Sequence, residues 1–135
     1  MLAKSVSKYV RMSPRKVRYV MAPLRHRTVS EALGILASTN RRAAKPLAKA
    51  IASAFANAKQ IDPTLGEDQV VISLMAADGG PMWKRFRAAA FGRAVRIRKR
   101  TTHITVGLDR RGGQRDVVAP PPAKRQQAAA SPRGK

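Results

Sequence analysis

Val17, Val20, Met21 and Leu24 recur at i, i+3, i+4 and i+7, so the stretch MSPRKVRYVMAPL predicts a first helix with one apolar face. Ser13 suits its N-cap and Pro14 its first helical position, where the missing N–H costs nothing. Arg15, Arg18 and Arg25 cluster on an adjoining face, and Pro23 should end or kink the helix, leaving Arg25, His26 and Arg27 as loop. TVSEALGILAST opens with a capping-box pattern, Thr28 to Glu31, and sets Ala32, Leu33, Ile35 and Leu36 on a short buried helix. A third helix, over roughly 40–58 from near Asn40, aligns Leu47, Ile51, Ala54, Phe55 and Ala58 as the main core. Pro46 conflicts with an interior position, at a cost of about 3 kcal/mol, so this helix either bends near Arg42 or begins later.

The pattern then changes period. After the turn-rich, acidic IDPTLGEDQ, the β-branched run VVISLMAA predicts a strand. RTTHITVGL predicts another, with Thr102, Ile104 and Val106 alternating with His103 and Thr105. If the two pair antiparallel, they are the base of an extended hairpin over about 70–107 with its tip at about 83–93. Arms of about a dozen residues at roughly 3.3 Å each would carry that tip some 40 Å from the core. A two-stranded ribbon of this length is marginal in water, so it is expected to be mobile when free and ordered when bound. The fold class expected is α+β: three helices packed on a small antiparallel sheet, with a long protruding basic β-hairpin. The 135 residues allow one modest domain, 1–108, followed at 109–135 by a flexible basic C-terminal extension rich in Pro, Gly and Ala.

Charge changes the picture most. The chain carries 28 Lys and Arg against 7 Asp and Glu, a formal net charge of +21. Self-repulsion on that scale opposes a compact state unless a polyanion neutralises it, and nucleic acid is the first candidate because each neutralised phosphate releases counterions. An anionic membrane surface is the second. No apolar run approaches the length of a membrane span, and nothing has the shape of a secretory signal. The first residues are acid-free and mildly amphipathic, in the manner of an organellar import segment.

Catalytic chemistry has little to work with. There is no Cys, only His26 and His103 supply imidazoles, and Glu31, Asp62, Glu67, Asp68, Asp78, Asp109 and Asp116 form no acid/base or metal-ligand pattern. No enzymatic activity, metal or cofactor is expected.

The charge is also zoned. Residues 1–27 hold eight basic side chains and no acid, residues 60–80 hold four acids and no Lys or Arg, and residues 84–100 return to eight basic and no acid. A solvated surface would intersperse the signs, so the acidic stretch should face water and the basic zones a polyanion. GGPMWKRFRAAAFGRAVRIRKR, residues 79–100, also contains three of the six aromatic residues. It keeps neither a clean two-residue nor a helical period, so it is expected to bury no face against its own chain.

YVRMSPRKVRYV, SAFANA, DGGPMWKR, FGRAVRIRKR and above all KRTTHITV resemble, in order and in register from about Tyr9 to Leu108, the universal ribosomal protein family numbered twenty-two in the large subunit. The bacterial and organellar branch is the closer likeness. The resemblance implies a structural constituent of the large subunit that binds its ribosomal RNA, supports assembly and lines the nascent-peptide exit tunnel with its hairpin. Its partners would be large-subunit ribosomal RNA, neighbouring ribosomal proteins and the nascent peptide, without a membrane span or an obligate homo-oligomer. Its location would be the ribosome, in the cytoplasm or in an organelle.

On this reading Arg11, Arg15, Lys16, Arg18, Arg41 and Arg42 dock the domain on RNA, and Lys84, Arg85, Arg87, Arg93, Arg96, Arg98, Lys99 and Arg100 hold the hairpin among phosphates. The tip that reaches the tunnel comprises Trp83, Lys84, Arg85, Phe86, Arg87, Ala88, Ala89, Phe91 and Gly92, with Gly92 permitting a close approach or a sharp bend. Trp83, Phe86 and Phe91 either stack on unpaired bases or pack across the ribbon. His103 reads as a hydrogen-bonded structural residue. The family usually carries a proline and a basic residue where Ala88 and Ala89 stand, and often a basic residue at Phe91. Pro23, His26 and Pro46 also depart from it. A DNA-binding architectural protein of the nucleoid type, with basic β-arms, is the alternative reading of the charge zoning.

Overall fold

A computed structural model of the chain describes residues 1–112. The expected C-terminal extension lies, from residue 113 onward, outside the described residues. Three antiparallel strands form the sheet in the order β1 (Ala3–Val10), β5 (Thr102–Arg110), β2 (Val70–Gly79). Three helices, α1 (Pro14–Met21), α2 (Val29–Ser38) and α3 (Ala44–Ile61), complete an α+β fold. Alternation on β5 turns Thr102, Ile104, Val106 and Leu108 inward, all fully buried. α3 packs over β1 and β5, α1 over β2, and α2 beside α3. Leu47, Ile51, Ala54, Phe55 and Ala58 of α3 are buried against this sheet, as their spacing predicts.

β1 is the element that the sequence pattern does not predict. Its inward positions are Ala3 and Ser5, both buried, whereas Val6 points outward and is 46% exposed. The small residues face the core and the larger apolar one faces solvent, so the hydropathic signal is inverted. The segment that resembles an import peptide is therefore one of the two edge strands of the sheet. Asp109 and Arg110, expected beyond the domain, continue β5 and pair with Val71 and Val70.

The helix ends follow local chemistry. Ser13 occupies the α1 N-cap with extended backbone, but its hydroxyl makes no capping bond, and Pro14 opens the helix. α1 stops at Met21; Ala22–Leu24 form a 3-10 turn around Pro23. The following loop is tied to β2 by His26 N–H to Ile72 O at 3.2 Å and Ile72 N–H to Arg27 O at 3.0 Å. At α2, Thr28 Oγ1 accepts the Glu31 N–H at 3.2 Å, while the Glu31 carboxylate pairs with Arg27 at 3.5 Å instead of completing a capping box. α3 begins at Ala44 rather than near Asn40, which puts Pro46 in its first turn and removes the conflict.

Candidate nucleic-acid interface

Residues 83–99 form a second antiparallel pair, β3 (Trp83–Ala88) with β4 (Ala94–Lys99). Every residue of both strands is exposed. The run does contain a period of two, since Val95 and Ile97 alternate with Arg96 and Arg98. It is masked in the sequence by basic residues that occupy both faces of β3. Opposed residues in an antiparallel pair share a face. Trp83, Arg85 and Arg87 therefore stand with Lys99, Ile97 and Val95, and Lys84, Phe86 and Ala88 stand with Arg98, Arg96 and Ala94. One face mixes three cations with three apolar side chains; the other sets Phe86 among three cations.

The strands are joined through Ala89–Arg93. Ala89 N–H donates to Arg93 O at 2.9 Å and Arg93 N–H to Ala90 O at 3.4 Å. The two central residues of the turn, Phe91 and Gly92, have φ of 59° and 68°, the left-handed values that a type I′ hairpin turn needs. A Cβ on Gly92 would meet nothing within 4 Å, so this glycine serves the bend and not a close approach within the chain. Phe91 adopts the same conformation despite its bulk and is 95% exposed.

Between the two strand pairs the ladder is broken: Gly79 pairs with Thr102 and Trp83 with Lys99, leaving one more residue on the outgoing arm than on the return. An unequal count of this kind bends and twists a ribbon. The joint is held by Gly80 N–H to Thr101 O at 3.0 Å and by the buried Thr101 hydroxyl, which donates to Pro81 O at 2.7 Å. Thr102 Oγ1 donates to Met12 O at 2.7 Å, and His103 Nδ1 accepts the Tyr9 N–H at 3.1 Å. His103 is thus a structural residue at the root of the ribbon.

Arg11, Arg15, Lys16, Arg41 and Arg42 line a single groove of about 730 Å³, together with Met12, Tyr19, Val20 and Ala43. The Arg11 guanidinium also lies 5.9 Å from the Trp83 ring centroid, a cation–π contact that joins this groove to the ribbon root. Arg18 is elsewhere: its Nε and Nη2 donate to Ala77 O at 3.0 and 2.7 Å, strapping α1 to β2. Tyr19 is absent from any list of basic residues, yet it shares the groove and is 75% exposed. Its signal in the sequence is an aromatic residue three and four positions after Lys16 and Arg15, on the basic side of the helix.

Among the described residues the ion pairs are Met1 amine–Asp109, Arg27–Glu31 and Arg110–Asp62, so no groove or ribbon cation is consumed by a carboxylate. No cluster of His, Asp or Glu suited to a metal ion, and no helix long and apolar enough to cross a membrane, occurs among the described residues.

A model of the ribosomal protein L22p/L17e family matches residues 5–109. The chain is 48% identical over 106 residues to large ribosomal subunit protein uL22 of Maridesulfovibrio salexigens, covering 78% of this chain and 96% of that protein. It is 50% identical over 109 residues to the protein of the same name from Roseiflexus castenholzii, covering 81% and 96% respectively. The protein of that name from Pelotomaculum thermopropionicum is 46% identical over 106 residues, covering 78% and 93%.

Proposed function

This chain belongs to the ribosomal protein L22p/L17e family, and from that premise we propose how its basic surfaces serve the large ribosomal subunit. It is a structural constituent of that subunit, and its seat is the ribosome, which in bacteria is cytoplasmic. Its partners are large-subunit ribosomal RNA and neighbouring ribosomal proteins. The groove residues Arg11, Arg15, Lys16, Arg41 and Arg42 dock the folded domain on RNA. The ribbon passes between RNA segments, with Lys84, Arg85, Arg87, Arg93, Arg96, Arg98, Lys99 and Arg100 neutralising phosphates brought close together. Its turn, with Phe91 outermost, reaches the nascent-peptide tunnel.

One observation carries this reading: six cations stand on a strand pair exposed along its whole length, Arg93 in its turn and Arg100 at its root bring the number to eight, and no acid lies among them. Such a ribbon gains nothing from its own core and is stabilised by what surrounds it. Arg and Lys suit the task because phosphate contacts position a protein without reading a base.

The test is incorporation of the tagged chain into large subunits, followed on magnesium-containing gradients through a salt series. Wild type should co-migrate with the large subunit. Joint replacement of Arg85, Arg93, Arg96 and Arg100 by Gln should release the chain at lower salt. Equal retention of wild type and variant across the series would remove the ribbon from the proposal, and migration of wild type with chromosomal DNA would favour an architectural DNA-binding role.

A further inference from the structure

We propose that the groove between α1 and the start of α3 is a binding site for an unpaired nucleotide of RNA, with its base stacked on Tyr19. The proposal rests on the RNA-binding reading above and adds the class of element that this surface takes. Tyr19 is the most exposed aromatic residue outside the ribbon, at 75%, although its helix neighbours Val17, Val20 and Met21 are buried. An aromatic ring held open at this point contributes nothing to the core. Five cations line the same groove, from three segments: Arg11 after β1, Arg15 and Lys16 on α1, and Arg41 and Arg42 ahead of α3.

The groove's size and lining suit such a ligand. About 730 Å³ falls within the roughly 300–1,000 Å³ of sites that enclose small organic ligands. Met12, Val20 and Ala43 add an apolar lining suited to the faces of a base, while the guanidinium groups suit the flanking phosphates. A duplex keeps its base faces stacked internally and cannot offer one to Tyr19; a bulged or single-stranded nucleotide can. Arg15 and Lys16, one helical turn before Tyr19, are placed to meet the phosphates on either side of such a base. Through Arg11 and Trp83, 5.9 Å apart, the same RNA strand has a continuous basic path to the ribbon.

The experiment compares the full-length chain with its Tyr19→Phe, Tyr19→Leu and Arg41→Ala/Arg42→Ala variants in binding to transcribed large-subunit ribosomal RNA. It combines affinity over a salt series with chemical probing of exposed bases. Tyr19→Leu should weaken binding roughly ten-fold, the scale of one base–aromatic stack, with an unchanged salt slope. One base protected by wild type should become reactive again, and Tyr19→Phe should keep both affinity and protection. The arginine pair should instead flatten the salt slope by roughly one to two. If Tyr19→Leu binds and protects like wild type, the nucleotide site is wrong although RNA binding stands. If wild type itself fails to bind this RNA, the underlying functional reading falls with it.

Discussion

His103 Nδ1 accepts the backbone N–H of Tyr9 at 3.1 Å, and the two rings meet edge to face with centroids 4.9 Å apart. This contact closes a break in the β1–β5 ladder between Ser7 and Val10, where Tyr9 takes a φ of 60° that bulky residues rarely adopt. The imidazole thus supplies the acceptor that the regular ladder does not. Replacing His103 by Ala should lower stability by about 1 kcal/mol, the net value of a partly solvated hydrogen bond with its ring contact. Amide hydrogen exchange should rise at Tyr9 more than at its β1 neighbours. Unchanged exchange at Tyr9 would mean that the backbone conformation is held by something other than His103.

Gly80 is required for space, not for its dihedral freedom. A Cβ there would come 2.5 Å from Thr101 Oγ1 and 2.9 Å from His103 Nε2, and both atoms are held by hydrogen-bonded or packed neighbours. Gly80→Ala should cost about 1–3 kcal/mol, the usual range for overpacking, and disturb the joint where the ribbon leaves the sheet. Thermal unfolding measures the first effect. Shifted backbone resonances confined to 79–83 and 99–103 would report the second, and a variant as stable as wild type with an unshifted spectrum would show that the joint yields freely.

Much of the domain was legible because large apolar residues mark it. The α3 core positions and the alternation on β5 both rest on Leu, Ile, Val and Phe at one period. β1 escaped because Ala3 and Ser5 carry its buried side while Val6 and Tyr9 lie outside. The basic surface was legible as a zone, but the sequence could not sort its members. Arg18 and Arg15 are three residues apart on one helix; only the fold turns one towards Ala77 and the other into the groove. Gly80 acts through Thr101 and His103, distant in the chain, so composition and spacing left it unmarked; Tyr19 has its spacing from Arg15 and Lys16, but only the fold brings Arg11, Arg41 and Arg42 to the same groove.

That division between Arg15 and Arg18 is measurable. Arg18→Ala removes two hydrogen bonds to Ala77 O and should lower stability by about 1 kcal/mol while leaving the salt slope of RNA binding near that of wild type. Arg15→Ala should do the reverse, reducing the slope by about one with little change in the unfolding midpoint. Identical slopes for both variants would assign Arg18 a phosphate contact through the donors that Ala77 does not use.

Phe91, like Tyr9, is a bulky residue on a left-handed backbone. At φ 59° it fills a turn position that favours Asn, and at 95% exposure it has no packing within the described residues to lose. Phe91→Asn should strengthen the turn by about 1 kcal/mol, the scale of the left-handed penalty for a bulky side chain. Slower exchange of the Ala89 and Arg93 amides, which bridge the turn, is the readout. If exchange quickens instead, the aromatic ring steadies the free ribbon and the strain argument fails.

Pro46 separates two views of α3 by the sign of a single substitution. Were it in the helix interior, Pro46→Ala would restore a hydrogen bond and relieve a clash, stabilising the protein by about 3 kcal/mol. The helix instead starts at Ala44, and its first i to i−4 bond runs from Leu47 N–H to Ala43 O, one residue beyond the proline. The missing N–H at position 46 therefore belongs to the first turn, where no intrahelical partner would have received it. Alanine then gains no bond, while the unfolded chain gains freedom at a position that proline had fixed. Pro46→Ala should lower stability by about 0.4–1 kcal/mol. Ala50→Pro, one turn further along and in the buried stripe, should cost 3 kcal/mol or more. Denaturant unfolding of the two variants beside wild type decides the matter: a rise in midpoint for Pro46→Ala would put the proline under strain and move the true helix start towards Asn40.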